Sequence, residues 1–344
     1  MGELSERSQK ILWAIIQSHI ACNAPVGSFM VTKKISLGLS SATIRNTMAN
    51  LEELGYVTQP YTSAGRVPTE RGYKLYVNTL LKERTLAIDK TLFQKLSGKL
   101  RLIENDINRL VKEAAKTLSL FSQYLAIVTP PRIDEMILKH IKFIKCGKKK
   151  ALCILISEEG MIKNKVIDLK EIHSQKQLDK IADYLNKELN VLTLREAREK
   201  IVSQLFKEKM SCDKLISSAL LMCKDITAGE ADNISMDGLS GTCNLPDFAS
   251  MKQMKEILKA IEDKHLMIKS LHQVSGTQGV QVFIGMENIL PAMKDLSMVI
   301  STYNDKKRAC GTIGIIGPTR MNYKKLIPIV DHTAKTLTQI LSGT

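Results

Sequence analysis

The chain has 344 residues, of which 44% are hydrophobic and 25% are charged, as is usual for a globular protein with two or three domains. Its 50 lysines and arginines against 35 acidic residues give a formal net charge of +15, which favours an acidic partner such as nucleic acid or an anionic membrane surface. No stretch approaches the roughly 18 consecutive apolar residues of a membrane-spanning helix, and the N-terminus lacks a signal-peptide pattern. We therefore expect a cytoplasmic protein with no membrane partner.

Two helices are predicted at the N-terminus. Residues 5–22 have one apolar face and a capping serine, Ser5, at their start. A short second helix is predicted over Phe29–Ser36, in the position of a support helix. Its Lys33 and Lys34 are placed to touch phosphates, although exposed lysines on a short helix are usually only solvated.

The third predicted helix begins after Ser40 or Ser41 and ends at Gly55, because a serine hydroxyl caps a first turn and glycine accepts a left-handed backbone. Its buried face is predicted from apolar residues at spacings of four and three: Ile44, Met48, Leu51 and Leu54. The opposite face is small and polar, with side chains that can pair with base edges: Ala42, Thr43, Arg45, Asn46, Ala49 and Asn50. Asn46 suits adenine, and Arg45 suits guanine or a phosphate.

A small hairpin is predicted after this helix. Tyr56–Tyr61 alternates like a strand, residues 62–65 have turn chemistry, and Arg66-Val67 returns as a second strand with Arg66 beside the tip. A helix followed by a hairpin with a basic tip is the layout of a winged helix-turn-helix, which places the helix in the major groove. The alternative is an ordinary helix–hairpin unit that binds no nucleic acid.

A further helix over Glu70–Arg84 closes the predicted DNA-binding domain, residues 1–84. The DNA-binding residues predicted in this domain are Lys33, Lys34, Ser40, Ser41, Ala42, Thr43, Arg45, Asn46, Asn50, Thr62, Ser63, Gly65 and Arg66.

A long linker helix is predicted within residues 85–128, where apolar residues recur at alternating spacings of three and four. These residues are Leu100, Ile103, Ile107, Leu110, Ala114, Thr117 and Phe121. Two interpretations are open: a seam for a dimer or interdomain partner helix, or a helix lying on its own sheet.

The remaining elements predict an α/β domain with an insert. Strands are expected over 137–169 and 280–317, and both sets are assigned to one α/β domain interrupted by a mainly helical segment. Residues 228–247 are predicted as a loop or a small irregular unit. The glycine-rich stretch 311–320 lacks the Gly-Lys-Ser/Thr ending of a phosphate loop, which favours a strand ending in a tight turn.

The sequence resembles the heat-inducible transcription repressor family of bacteria (HrcA type). The N-terminal residues that carry the resemblance are Gly38-Leu39-Ser40, Ala42–Asn46, Met48-Ala49, Leu51–Gly55, Gln59-Pro60, Thr62–Thr69 and Gly72-Tyr73. The C-terminal ones are Val282, Ile284-Gly285, Glu287-Asn288, Gly311, Ile313–Met321 and Tyr323. Ser41, Thr47 and Asn50 depart from the residues that the family commonly has.

The resemblance implies an α+β multidomain protein: a winged helix-turn-helix, then a GAF-like α/β domain interrupted by a mainly helical dimerisation insert. The corresponding boundaries are 85–195 for the first part of the GAF-like domain with the linker helix, 196–275 for the insert and 276–344 for the second part. It also implies a homodimer on an inverted-repeat operator (CIRCE type) upstream of chaperone operons, loss of DNA binding on heat stress, and modulation by the chaperonin GroEL. An alternative is a winged-helix repressor controlled by a small effector in the GAF-like domain.

No catalytic or metal site is predicted. The seven cysteines form no Cys-x-x-Cys pair, the six histidines form no His-x-x-x-His pair, and no Ser/His/Asp or Cys/His grouping stands out. We therefore expect reduced thiols, no cofactor and no enzymatic activity.

Overall fold

The computed structural model describes residues 4–34, 40–82, 90–103, 107–130, 137–158, 162–169, 171–193, 196–197, 199–200, 235–238, 279–285, 293–305 and 308–342. Helices and separate sheets are both present, so the α+β class is confirmed. The predicted insert, 196–275, lies almost wholly outside the described residues.

The N-terminal part consists of four helices and a two-stranded sheet. They are α1 (Glu6–Cys22), α2 (Ser28–Lys34), α3 (Ser41–Glu53), β1 (Val57–Thr58), β2 (Val67–Pro68) and α4 (Glu70–Lys82). Each was predicted, and Ser5 caps α1 as expected, because its hydroxyl accepts a hydrogen bond from the Ser8 amide. Asn23 ends α1 with a left-handed φ of 48°. An apolar stripe of α4 is buried at Tyr73, Tyr76, Val77 and Leu80.

A five-stranded sheet forms the second layer. Its strands are β3 (Leu125–Val128), β7 (Ser235–Asp237), β8 (Gln281–Ile284), β9 (Leu296–Asp305) and β10 (Arg308–Pro318), in the order β7-β3-β10-β9-β8. The C-terminal helix, α8 (Tyr323–Ser342), packs on β9. β7 lies in the stretch predicted as a loop or a small irregular unit, and it pairs antiparallel with β3.

The long linker helix is two helices, α5 (Lys90–Arg101) and α6 (Ile107–Ser122). Leu102 and Ile103 are not helical. The apolar spacing resumes after this interruption because both helices pack against α8. Four residues of the predicted seam are buried within the chain, which favours the second interpretation, a helical layer on the protein's own sheet. These are Leu100, Leu110, Ala114 and Thr117.

A separate three-stranded antiparallel sheet follows, with order β4-β5-β6. Its elements are β4 (Leu138–Lys145), β5 (Lys150–Ser157), β6 (Ile162–Asp168) and the helix α7 (Gln175–Leu189). The strands were predicted, and they form a sheet separate from the one that contains β8, β9 and β10. The assignment of both sets of strands to one domain stays a prediction. Alternating apolar residues indicate a strand with one buried face, and they carry no information about which sheet the strand joins.

The chain forms two compact units. The first consists of Met1–Thr129, Ser235–Asp305 and Gly311–Thr344, so it contains both the N-terminal elements and the five-stranded sheet. The second consists of Pro130–Ile234 and Lys306–Cys310. The domain boundaries given by the sequence stay predictions.

The glycine-rich stretch is a strand that ends in a turn, as predicted. A side chain at Gly311 would collide with the Tyr303 ring, whose hydroxyl donates a 2.6 Å hydrogen bond to the Thr129 carbonyl. The glycine therefore allows close packing of the strand against its neighbour.

Candidate nucleic-acid interface

The rotation of α3 about its axis is fixed by three buried side chains. Ile44, Met48 and Leu51 have exposed fractions of 1%, 4% and 0%. The opposite face lies in solvent, as predicted, at Ala42, Arg45, Asn46, Ala49 and Asn50. Leu54 belongs to the predicted buried stripe, but it is 42% exposed and lies just beyond the end of the helix.

The hydroxyls at the start of α3 are engaged within the protein. Ser40 is the N-cap, and its oxygen accepts a 3.1 Å hydrogen bond from the Thr43 amide. The Ser41 hydroxyl lies 3.0 Å from that of Ser28, the first residue of α2. This second bond joins α2 to α3. A DNA contact through Ser40, Ser41 or Thr43 therefore has to share or replace an existing hydrogen bond.

The two lysines of α2 are exposed at its C-terminal end. Lys33 Nζ lies 4.7 Å from the centre of the Phe29 ring, a cation–π contact on a side chain that is itself 67% exposed. Lys33, Lys34 and Arg45 are three exposed cations on two helices, α2 and α3, that pack against each other.

The turn between β1 and β2 depends on two unusual backbone positions. Ser63 has a φ of 67°, in the left-handed region, and the Ala64 amide donates to the Tyr61 carbonyl across the turn. A side chain at Gly65 would collide with the Val26 backbone. Glycine is therefore required where Val26 and Arg66 exchange both backbone hydrogen bonds, each 2.9 Å long. Thr62 and Ser63 are exposed at the tip.

Arg66 is held by a carboxylate that the sequence analysis did not single out. Its Nη2 lies 2.7 Å from Glu52 Oε2, and the side chains are 18% and 32% exposed. The other Glu52 oxygen accepts a 2.8 Å hydrogen bond from the Gln59 amide, and Gln59 Nε2 donates to the Ala64 carbonyl. Glu52, at the end of α3, thus binds both arms of the hairpin, at the residue after β1 and the residue before β2.

The contacts of Glu52 with Arg66 and Gln59 change the position expected for Arg66. Arg66 was predicted at the tip with a guanidinium that reaches DNA, whereas the structure engages the guanidinium with Glu52. DNA contact by Arg66 stays a prediction. The opposite charges of Glu52 and Arg66 were a signal for the pair, but a separation of 14 positions has no helical or strand periodicity that would have selected it.

α3, α2 and the hairpin enclose a cleft of about 520 Å³. It is lined by Gly27, Ser28, Phe29, Arg45, Met48, Gln59, Ser63, Ala64, Gly65 and Arg66. Of the predicted DNA-binding residues, Arg45, Ser63, Gly65 and Arg66 thus meet around one concavity. Thr62 lies next to Ser63 at the tip, and the exposed α3 residues lie on the helix that forms one wall.

In the described part of the chain, no cluster of three or more His, Cys, Asp and Glu side chains could hold a metal ion. Among the same residues, no helix is long and apolar enough to cross a membrane.

Comparisons with known proteins point to one family, and the relatives match along almost the whole chain. A family model described as the HrcA protein C terminal domain matches residues 108–327. The heat-inducible transcription repressor HrcA of Geobacter sulfurreducens is 39% identical over 343 residues, covering 100% of both chains. The repressor of the same name from Thermodesulfovibrio yellowstonii is 34% identical over 342 residues, covering 98% of each chain.

A crystal structure described as that of a hypothetical protein has a TM-score of 0.65 with this chain at 20% identity, over 99% of each chain. This likeness concerns the fold alone.

The contacts of Glu52 with the hairpin give a first prediction. Glu52→Ala removes an ion pair and the acceptor of the Gln59 amide, and hydrogen bonds to charged groups contribute about 1.5–3 kcal/mol each when well formed. We expect the Gln59 amide to exchange with solvent faster and the free energy of unfolding to fall by about 1–2 kcal/mol, because the pair is partly exposed. Hydrogen exchange and thermal melting of the full chain measure both.

Glu53→Ala is the matched control, because Glu53 is exposed and neighbours Glu52 on the same helix. If Glu53→Ala speeds exchange of the Gln59 amide as much as Glu52→Ala does, the hydrogen bond to Glu52 is not what protects this amide.

Proposed function

This chain belongs to the family of heat-inducible transcription repressors of the HrcA type, and from that premise we propose that it represses chaperone operons by binding an inverted-repeat operator (CIRCE type) as a dimer. It is a transcription repressor and not an enzyme, which agrees with the expectation from its sequence. The finer mechanism that follows is part of the proposal. It includes action in the cytoplasm, where the chromosome is.

The observation that best supports DNA binding is the exposed polar face of α3. Small residues at Ala42 and Ala49 let the helix backbone approach a groove floor, while Arg45 and Asn46 supply the donors and acceptors that read base edges. α1 to α4 with the hairpin form a winged helix-turn-helix in this proposal, with α3 as the recognition helix and residues 57–68 as the wing.

The exposed cations of α2 and α3 support contact with the phosphate backbone. Lys33 and Lys34 on α2 and Arg45 on α3 are all exposed, and Thr62 and Ser63 offer hydroxyls at the wing tip. We propose that these groups position the protein on the duplex, with Arg66 acting chiefly through its pair with Glu52. Phosphate contacts of this kind fix register without reading sequence.

Dimerisation is supported by an apolar sheet face in the second unit. One face of the β4-β5-β6 sheet packs against α7 in a continuous apolar core. The other face carries six aliphatic residues in register across the strands: Ile144, Leu152, Ile154, Ile156, Ile162 and Val166. Ile144, Ile162 and Val166 are 40%, 66% and 54% exposed. His140, Lys142 and Asn164 share this face, so its apolar surface follows β5 and reaches β4 at Ile144 and β6 at Ile162 and Val166. Exposed apolar surface of this kind marks interaction sites in globular proteins.

Heat and the chaperonin control the repressor by changing the stability of its C-terminal region. From the family resemblance we propose that GroEL keeps the repressor folded and that heat loosens the C-terminal fold, so that the dimer no longer holds two recognition helices on the operator. Control by a small effector stays an untested alternative.

Asn46 is the residue chosen to test base reading. Asn46→Ala leaves the buried side of α3 intact and removes a bidentate partner for adenine, which contributes about 1–3 kcal/mol of discrimination. We expect affinity for a CIRCE duplex to fall by about tenfold or more, while affinity for a scrambled duplex stays nearly unchanged. Titration of the full-length protein with both duplexes measures this.

Asn78→Ala serves as the control, since Asn78 is an exposed asparagine on α4 rather than α3. Equal losses on the two duplexes for Asn46→Ala would remove Asn46 from base reading.

A single charged substitution tests whether the outer face of the β4-β5-β6 sheet forms the dimer interface. Val166→Lys places a cation on the apolar face, and burying it in an interface without a partner is costly. We expect the dimer dissociation constant to rise by at least about tenfold, as measured by sedimentation equilibrium. Ile172→Lys, at a residue that is 62% exposed outside the strands of the same unit, should leave it unchanged. A dimer that tolerates Val166→Lys as well as Ile172→Lys is formed by another surface.

A further inference from the structure

The turn between β10 and α8 reaches the N-terminal helices. This turn, residues 319–322, ends the glycine-rich stretch that was rejected as a phosphate loop, and the proposed function gives it no role. Arg320 Nη1 donates a 3.2 Å hydrogen bond to the Ile20 carbonyl in the last turn of α1. The last four carbonyls of a helix have no partner within it, and the negative end of the helix dipole favours a cation there. Arg320 thus caps a helix 300 positions away.

A chain of aromatic and polar contacts lies beside this cap. The rings of Tyr73 in α4 and Tyr323 in α8 are 6.2 Å apart between centroids, and the two residues are 2% and 0% exposed. The Tyr73 hydroxyl is 2.9 Å from His19 Nδ1, and the Tyr323 hydroxyl donates a 2.7 Å bond to the Thr319 carbonyl. Burial raises the pKa of Tyr323 well above its usual value, so this hydroxyl remains a hydrogen-bond donor in alkaline as well as neutral solution.

A third contact joins the start of α4 to the end of β8. Gly285 has a φ of 69°, a left-handed backbone that favours glycine, and it lies beside the Glu70 carboxylate. α4 and β8 pack together here.

The three contacts involve the helices behind α3 and leave its exposed face free. Ile20 and His19 belong to α1, and Glu70 and Tyr73 belong to α4. α1 packs directly on α3. A shift of residues 319–323 would therefore reach the recognition helix through α1 without any change in the residues proposed to touch DNA.

We propose that the turn 319–322 with Tyr323 is a docking joint that fixes α3 relative to the five-stranded sheet, and that Arg320 is its positioning residue. The inference rests on the proposed function, binding of an inverted repeat by a dimer. A second recognition helix adds affinity only if it is held at the spacing of the second half-site, because that spacing sets its effective concentration. A rigid joint supplies this constraint, and a loosened joint removes it while each α3 stays able to read one half-site.

Binding to one arm and to two arms separates this role from a general structural one. The probes are a CIRCE duplex and the same duplex with one arm scrambled, each titrated with the full-length protein. Arg320→Met keeps the alkyl chain and removes the donor. We expect affinity for the intact repeat to fall by about tenfold, since tethered binding gains about 10²–10⁴ from effective concentration, and affinity for the one-arm duplex to be unchanged. Arg320→Lys, which retains a donor, should recover part of the loss.

Arg101→Met is the matched control. Arg101 Nη2 donates a 3.1 Å hydrogen bond to Gln339, so this variant loses an arginine and a long-range hydrogen bond away from the joint. It should bind both probes as the wild type does. If Arg320→Met melts below the assay temperature, Tyr73→Phe, which removes the hydroxyl facing His19, is expected to produce the same split between probes.

The results separate a failure of the proposed function from a failure of the docking joint alone. A wild-type protein with no preference for the intact repeat contradicts the proposed function and this inference together. A wild type that prefers the repeat, with folded joint variants that keep the full preference, overturns the joint alone. Equal weakening on both probes by a folded variant also overturns it, because the defect then lies in reading a half-site.

Discussion

The burial of Ile44, Met48 and Leu51 fixes which side of α3 meets solvent, and the proposed DNA contacts depend on that rotation. An α-helix turns 100° per residue, so committing positions 44, 48 and 51 to the core leaves Arg45, Asn46 and their neighbours on the outer face. The cost of rotating the helix would be the exposure of three large apolar side chains, each contributing about 1.5–3 kcal/mol when buried. The polar face is held outward by the core behind it.

The same helix organises its surroundings through its two ends. Its N-terminal end is joined to α2 through Ser41 and Ser28, and Glu52 near its C-terminal end binds both arms of the hairpin. Helix, support helix and hairpin therefore enclose one cleft with a defined shape. In our account, this assembly is also held from behind, where Arg320 caps α1. If both the cleft and the contact of Arg320 with α1 are rigid, a dimer gains affinity from two half-sites without new contacts.

Local structure could be predicted from the sequence because its signals are local. Ser40 and Gly55 mark the bounds of α3, and the spacing of its apolar residues marks the buried face. The long-range links could not be predicted. The Glu52–Arg66 pair, the Arg320–Ile20 bond and the pairing of β7 with β3 join positions whose separations follow no period. For the same reason the strands within 137–169 were predicted as strands, but the separate sheet that they form could not be predicted.

Hydroxyl-radical footprinting of the full-length protein on a CIRCE duplex tests the central claim, that two copies read one inverted repeat. The account predicts two protected patches of equal depth on each strand, placed symmetrically about the centre of the repeat and weakened together when one arm is scrambled. A single patch, or protection of equal extent on a fully scrambled duplex, would contradict it.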